Sequence, residues 1–137
     1  MLRKSTVLFF VVIALIVFTG CQKAPSAGSV QKIELLQIDG FTQTDSVVLA
    51  TFTEQDEIQP IVKAIETSTK IDGILDVTAP SFGLKLYDTN DAVKTYYLWV
   101  GQDTRYNGMI MDVEDTHTGY TLTEEAAEML FTLIQRY

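Results

Sequence analysis

The sequence predicts an α+β domain: an antiparallel sheet of five to six strands with two helices on one face. Three observations lead there. Strand-like and helix-like stretches follow in the order strand, strand, helix, four strands, helix. The four-strand run is joined by connections too short for a crossover, so its members pair antiparallel. Each helical stretch carries one apolar stripe, which a shared sheet face would bury.

In chain order, residues 32–38 alternate in part and are rich in aliphatics, the pattern of a strand. Asp39-Gly40 is a turn signal. Residues 46–52 form the second strand, with Val47 and Leu49 on one face and Val48, Ala50 and Phe52 on the other. A helix follows. Thr53 is placed to cap it, and the acidic Glu54, Asp56 and Glu57 suit its positive end. Ile58, Ile61, Val62 and Ile65 supply the i, i+3, i+4, i+7 stripe. Pro60 removes a hydrogen bond there, so the helix is kinked or its regular part starts near Gln59.

Beyond Gly73 the chain reads as a loop ending at Pro80. Phe82, Leu84 and Leu86 then alternate with Gly83, Lys85 and Tyr87, as in a half-buried strand. Residues 88–91 (DTND) are a turn, and residues 93–100 (VKTYYLWV) carry the strongest strand signal in the chain. Two shorter strands, 109–113 and 120–122, flank the turn at 115–119. The last helix begins at Thr121 or Thr123. Thr121 with Glu124 fits a capping box, and Ala127, Leu130, Phe131 and Ile134 form the buried stripe.

The first twenty residues read differently. Arg3 and Lys4 precede an uninterrupted apolar run at 7–18, then Thr19, Gly20 and Cys21, the one cysteine of the chain. The run is short for a membrane-spanning helix, which needs about 20 apolar residues. A secretory signal shares the basic start and the small residues before the cut. Phe18-Thr19-Gly20 directly before Cys21 resembles the signal of bacterial lipoproteins, although Phe18 stands where that pattern prefers an aliphatic residue. The resemblance implies removal of residues 1–20 and a diacylglyceryl lipid on Cys21. It also implies anchoring at the outer face of the cell membrane. Residues 21–30 then form the lipidated cysteine and a flexible tether, and residues 31–137 a single domain.

Charge narrows the partners. Arg3 and Lys4 are two of the ten basic residues, so the chain beyond residue 20 has eight against 18 acidic ones, a net charge of −10. That balance opposes nucleic acid and anionic membrane surfaces. With one cysteine no disulfide forms within the chain.

Two candidate sites emerge. Tyr97 and Trp99 share one face of their strand, opposite Tyr96, Leu98 and Val100. If the helices cover the latter face, Lys85, Tyr87, Tyr97 and Trp99 form an aromatic binding surface on the open one. The competing reading makes Tyr97 and Trp99 core. Asp112, Glu114, Asp115 and His117 are a weaker candidate for a metal, because the spacing matches no metal loop and 115–119 is good hairpin-turn chemistry. Metal, cofactor and enzymatic activity are therefore not expected: His117 is the one histidine, and no nucleophile motif accompanies any serine.

Tyr97-Leu98-Trp99-Val100 and the run Tyr120-Thr121-Leu122-Thr123-Glu124-Glu125-Ala126-Ala127 resemble the small YhfM-like lipoproteins of Bacillus-type bacteria. The resemblance spans roughly residues 32–137, implies a Gram-positive host and brings no catalytic residues. The expected function is a membrane-tethered, non-enzymatic binding module in the cell envelope whose partner is another envelope protein. The alternative is a ligand- or ion-sensing accessory of a transporter or sensor kinase.

Overall fold

Period-two alternation decides which side chains share a sheet face, and in this protein both faces end up covered. The computed structural model describes residues 29–101 and 108–137. Among them are seven strands: β1 (Val30–Gln37), β2 (Val47–Phe52), β3 (Thr69–Lys70), β4 (Phe82–Asp88), β5 (Val93–Trp99), β6 (Met109–Asp112) and β7 (Gly119–Thr121). They form one antiparallel sheet in the order β2-β1-β4-β5-β6-β7-β3. Helix α1 (Gln55–Glu66) and helix α2 (Glu124–Ile134) complete the α+β fold. The expected class and element order hold, with one strand added. Strand β3 pairs Thr69 with Thr121 and Lys70 with Tyr120, and two residues are too few to show any period.

The domain also starts one residue earlier than expected. Val30 opens β1 and is buried, and the Gln55 side-chain amide donates to its carbonyl at 3.1 Å. Residues 1–28, with Cys21 and nearly all of the expected tether, lie outside the described residues. At the outer edge, Leu35 faces Ala50 while Leu36 faces Val48, so Leu49 is the extra residue of a β-bulge in β2.

The helix-side face of the sheet presents Ile33, Leu35, Leu84, Leu86, Leu98 and Ile110. Helix α1 meets it with Ile58, Ile61, Val62, Ala64 and Ile65, and α2 with Ala126, Ala127, Leu130 and Ile134. Three expected details differ. The N-cap of α1 is Glu54, whose side chain makes no capping bond, rather than Thr53; the helix runs from Gln55 to Glu66 with exposed Pro60 inside it. At α2 the cap is Thr123, whose hydroxyl accepts from the Ala126 amide at 3.2 Å. Thr121 belongs to β7, so the Thr121–Glu124 capping box does not form. Phe131 is turned partly to solvent, 39% exposed, instead of joining the stripe. Its ring leans on Gly101, where φ is +67° and a methyl group would lie 2.0 Å from the ring edge.

The second face carries a smaller core: Leu36, Ile38, Tyr97, Trp99, Met109 and Met111. Its cover is a strap, residues 71–81, which has no regular structure until β4 begins and packs Ile71, Leu75 and Val77 onto those side chains. Burying a large apolar side chain is worth about 1.5–3 kcal/mol. A face bearing six of them is therefore worth covering even with irregular chain.

If Thr123 is the working cap, Thr123→Ala lowers stability by about 1 kcal/mol, whereas Glu124→Gln changes it by less than about 0.5 kcal/mol. Urea denaturation of the two variants measures the difference, and equal losses would point back to the capping box.

Candidate functional site

Strand register places Val48, Leu36, Gly83, Tyr97, Met111 and Gly119 in one row across the second face. At its far end a methyl group on Gly119 would stand 2.8 Å from Leu75 Cδ1. The missing side chain is what lets the strap come down. Tyr97 and Trp99 lie beneath it, only 4% and 2% exposed. This corrects the expectation that they stand on an open face. The faces were assigned properly, since Tyr96, Leu98 and Val100 do lie under the helices, but the strap closes the other side.

The polar tips of the two aromatics hold the cover in place. The Tyr97 hydroxyl donates to the Phe41 carbonyl at 2.7 Å, and the Trp99 indole N–H donates to the Thr78 carbonyl at 2.9 Å. Backbone bonds fix the strap's ends, from the Ile71 amide to the Gly119 carbonyl (2.9 Å) and from the Ile38 amide to the Ser81 carbonyl (3.0 Å). Phe41 packs edge-on against Tyr97, ring centroids 5.4 Å apart, and lies 6.2 Å from Trp99. It remains 46% exposed.

A cleft of about 520 Å³ opens beside this cluster. Tyr97 and Met111 floor it, Phe41, Leu75, Val77 and Val113 wall it, and Asp76 and Thr116 add polar groups. Its size falls within the range of ligand pockets. Sequence reasoning found Tyr97 but missed Phe41, Leu75 and Val77. The available signal was a lone aromatic after the Asp39-Gly40 turn and two aliphatics inside a stretch that otherwise reads as loop. A second hollow, about 530 Å³, lies between the helices near Pro60, Lys63, Thr67 and Met129.

Lys85 and Tyr87 sit on the same face but away from the strap, both half-buried. They belong to a separate patch on β1 and β4. Lys32 Nζ lies 2.9 Å from Glu34 Oε1, and the Tyr87 hydroxyl donates to Glu34 Oε2 at 2.7 Å. The Lys32 ammonium is also 3.7 Å from the centre of the Tyr87 ring, with Lys85 Nζ at 5.4 Å. Partial burial pushes the Glu34 carboxyl up, but the bonds from Lys32 and Tyr87 outweigh it and hold the group below its ordinary value. Lys32 is raised, chiefly by its bond to Glu34. These groups satisfy one another and tie β1 to β4.

The acidic turn is likewise occupied locally. Asp112 Oδ1 accepts from the Glu114 amide at 3.0 Å while Oδ2 pairs with Lys94 at 2.6 Å, and Asp115 Oδ1 accepts from the His117 amide at 3.2 Å. Among the described residues no three His, Cys, Asp or Glu side chains are grouped to hold a metal. On the helix side, burial first and then Asp112 and Tyr120 push the Tyr96 hydroxyl far up, so it stays protonated at physiological pH.

The family model for the YhfM protein matches residues 30–137. The chain belongs to the YhfM family. The YhfM match opens at Val30, the first residue of β1, so the family unit coincides with the folded one. Comparison with curated proteins and with solved structures finds no match.

Two outcomes test this geometry. Trp99→Phe keeps a ring but loses the bond to Thr78, and should cost about 1–3 kcal/mol. Amide exchange in the strap should quicken while that of α1 and α2 stays unchanged; a uniform change would show that the strap does not open separately. Glu34 has a lowered pKa on folding, so its ionised form stabilises the fold above the unfolded carboxyl value of about 4.3. That contribution is lost as pH falls through the lower folded value. Glu34→Gln should therefore cost about 1 kcal/mol at pH 7, discounted for its exposed lysine partner, and the gap to wild type should close in acid. Urea midpoints across the pH range measure it.

Proposed function

We propose that this chain is a lipid-tethered module on the outer face of the cell membrane that binds a partner rather than catalysing a reaction, and that it binds through the strap-side cleft. The observation that carries the reading is Phe41, a half-exposed aromatic at the wall of a cleft that mixes apolar and polar groups, with Ile74 of the strap fully exposed. Exposed apolar groups gathered around a concavity support an interaction surface. The hydroxyl of Tyr97 and the indole N–H of Trp99 are already bonded to backbone and both rings are buried, so the two aromatics support the cleft from beneath while Phe41 supplies its exposed apolar area.

The tether rests on Cys21 and the signal-like residues before it. Each buried methylene of an acyl chain contributes about 0.8 kcal/mol, so one chain binds reversibly and two hold firmly. From Cys21 to the first residue of β1 the chain can span at most about 30 Å, enough to hold the domain just above the headgroups. Its acidity keeps it from adhering by charge and favours another envelope protein over nucleic acid.

A photo-crosslinking amino acid at Phe41 in living cells should capture a discrete envelope protein, and one at exposed Glu128 on α2 should not. Equal capture at both positions, or none at Phe41, would remove the cleft from the proposal. Cys21→Ala should abolish acyl labelling and release the protein from the membrane fraction. A mutant that is still acylated would sink the anchor.

A further inference from the structure

Three segments frame the cleft: the loop at 39–46 that carries Phe41, the strap at 71–81, and the end of β6 with the turn that follows it, residues 112–118. Between them they hold seven acidic residues, namely Asp39, Asp45, Asp72, Asp76, Asp112, Glu114 and Asp115, and no lysine or arginine. Asp112 is neutralised by Lys94. The others are exposed on the three segments that contribute Phe41, Leu75, Val77, Val113 and Thr116 to the cleft, and Asp76 lines it directly. Lys32 and Lys85 stand apart, engaged with Glu34 and Tyr87.

We infer that the cleft receives a peptide segment of the partner in which apolar residues are flanked by lysine or arginine. The inference rests on the cleft being the binding surface and adds the chemistry of what fills it. An apolar anchor displaces water from Phe41, Val113, Leu75 and Val77, while the flanking cations meet carboxylates on three separate segments. Phe41, 46% exposed, also offers ring surface to a cation. That spread of charge is why the occupant is an extended segment rather than a free amine, which would use one carboxylate and leave the rest idle. Charge arranged in this way steers encounter and rejects acidic competitors.

The lone tryptophan reports occupancy, because Trp99 lies 6.3 Å from Tyr97 and 6.2 Å from Phe41, centroid to centroid. The full chain is titrated with three blocked peptides of identical length that share a Leu-Phe-Leu centre and differ only in flanks of lysine, serine or glutamate. The lysine peptide should shift Trp99 emission saturably, the glutamate peptide should bind about tenfold or more weaker, and added salt should narrow the gap. Asp72→Asn with Asp76→Asn should weaken the lysine peptide about threefold to fivefold while leaving the urea midpoint unchanged. Equal binding of all three peptides overturns the charge preference and leaves the cleft reading standing. Free phenethylamine binding as tightly as the lysine peptide overturns the peptide occupant. No saturable shift with any peptide overturns the inference; with no capture at Phe41, the binding-module reading falls too.

Discussion

Strand β5 lies fourth in a sheet of seven and is buried on both faces, and the rest of the molecule is arranged around meeting that requirement. Tyr96 and Leu98 point to the helices, Tyr97 and Trp99 to the strap. Two helices satisfy one side in the ordinary way, since each brings its own paired backbone and an apolar stripe. The other side is closed by chain with no internal ladder. Such a segment is tolerable because it stays at the surface, where water serves its free carbonyls and amides. Asp72, Gly73, Ile74, Asp76 and Thr78 are all exposed. Anchorage at the ends and the indole bond at Thr78 hold it down. With no ladder of its own the strap has a lower opening cost than the sheet beneath it.

The second face is thus split by chemistry. Its strap-side half is dry and built from aromatic, methionine and aliphatic side chains; its other half is wet and held by Lys32, Glu34 and Tyr87. Each polar group in the wet half has a partner of its own, so that half adds cohesion between β1 and β4. The apolar half keeps unspent surface at Phe41 and Ile74. The sheet's edges are managed separately. One ends in the two-residue β3, and the other, β2, carries the bulge at Leu49, which disrupts regular pairing along that edge. Exposed Val47 and Val48 consequently lie on an irregular edge.

Most elements were readable because their signals are local. The alternation in β4 and β5, the turn chemistry at 88–91 and the stripes of α1 and α2 all lie within a few residues of the structure they cause. Strand β3 was not readable, being two residues whose only reason to extend is the presence of β7. Capping was readable only in part for a related reason: Thr53 gave way to Glu54, and of the two starts offered for α2, Thr121 and Thr123, only the fold selects Thr123, because the start used depends on where the preceding strand or loop delivers the chain. Phe131 fits the helical period but meets Gly101 instead of the sheet.

The candidate site divides in the same way. That Tyr97 and Trp99 share a face, that this face is opposite the helices, and that the loops are acidic all follow from periodicity and composition. So do a turn close to the expected 115–119 and the distinctive place of Cys21. Whether the aromatic face is bare or covered does not follow. The strap residues Ile71, Leu75 and Val77 fall on alternate positions, but Gly73 between them and apolar Ile74 on the opposite parity blur the pattern, and Phe41 arrives from a loop more than fifty residues away in the chain. Periodicity records which side chains point together, because that is set by the backbone between neighbours. Burial records what distant chain comes to rest on them, and the cleft exists only where two such distant segments meet over β5.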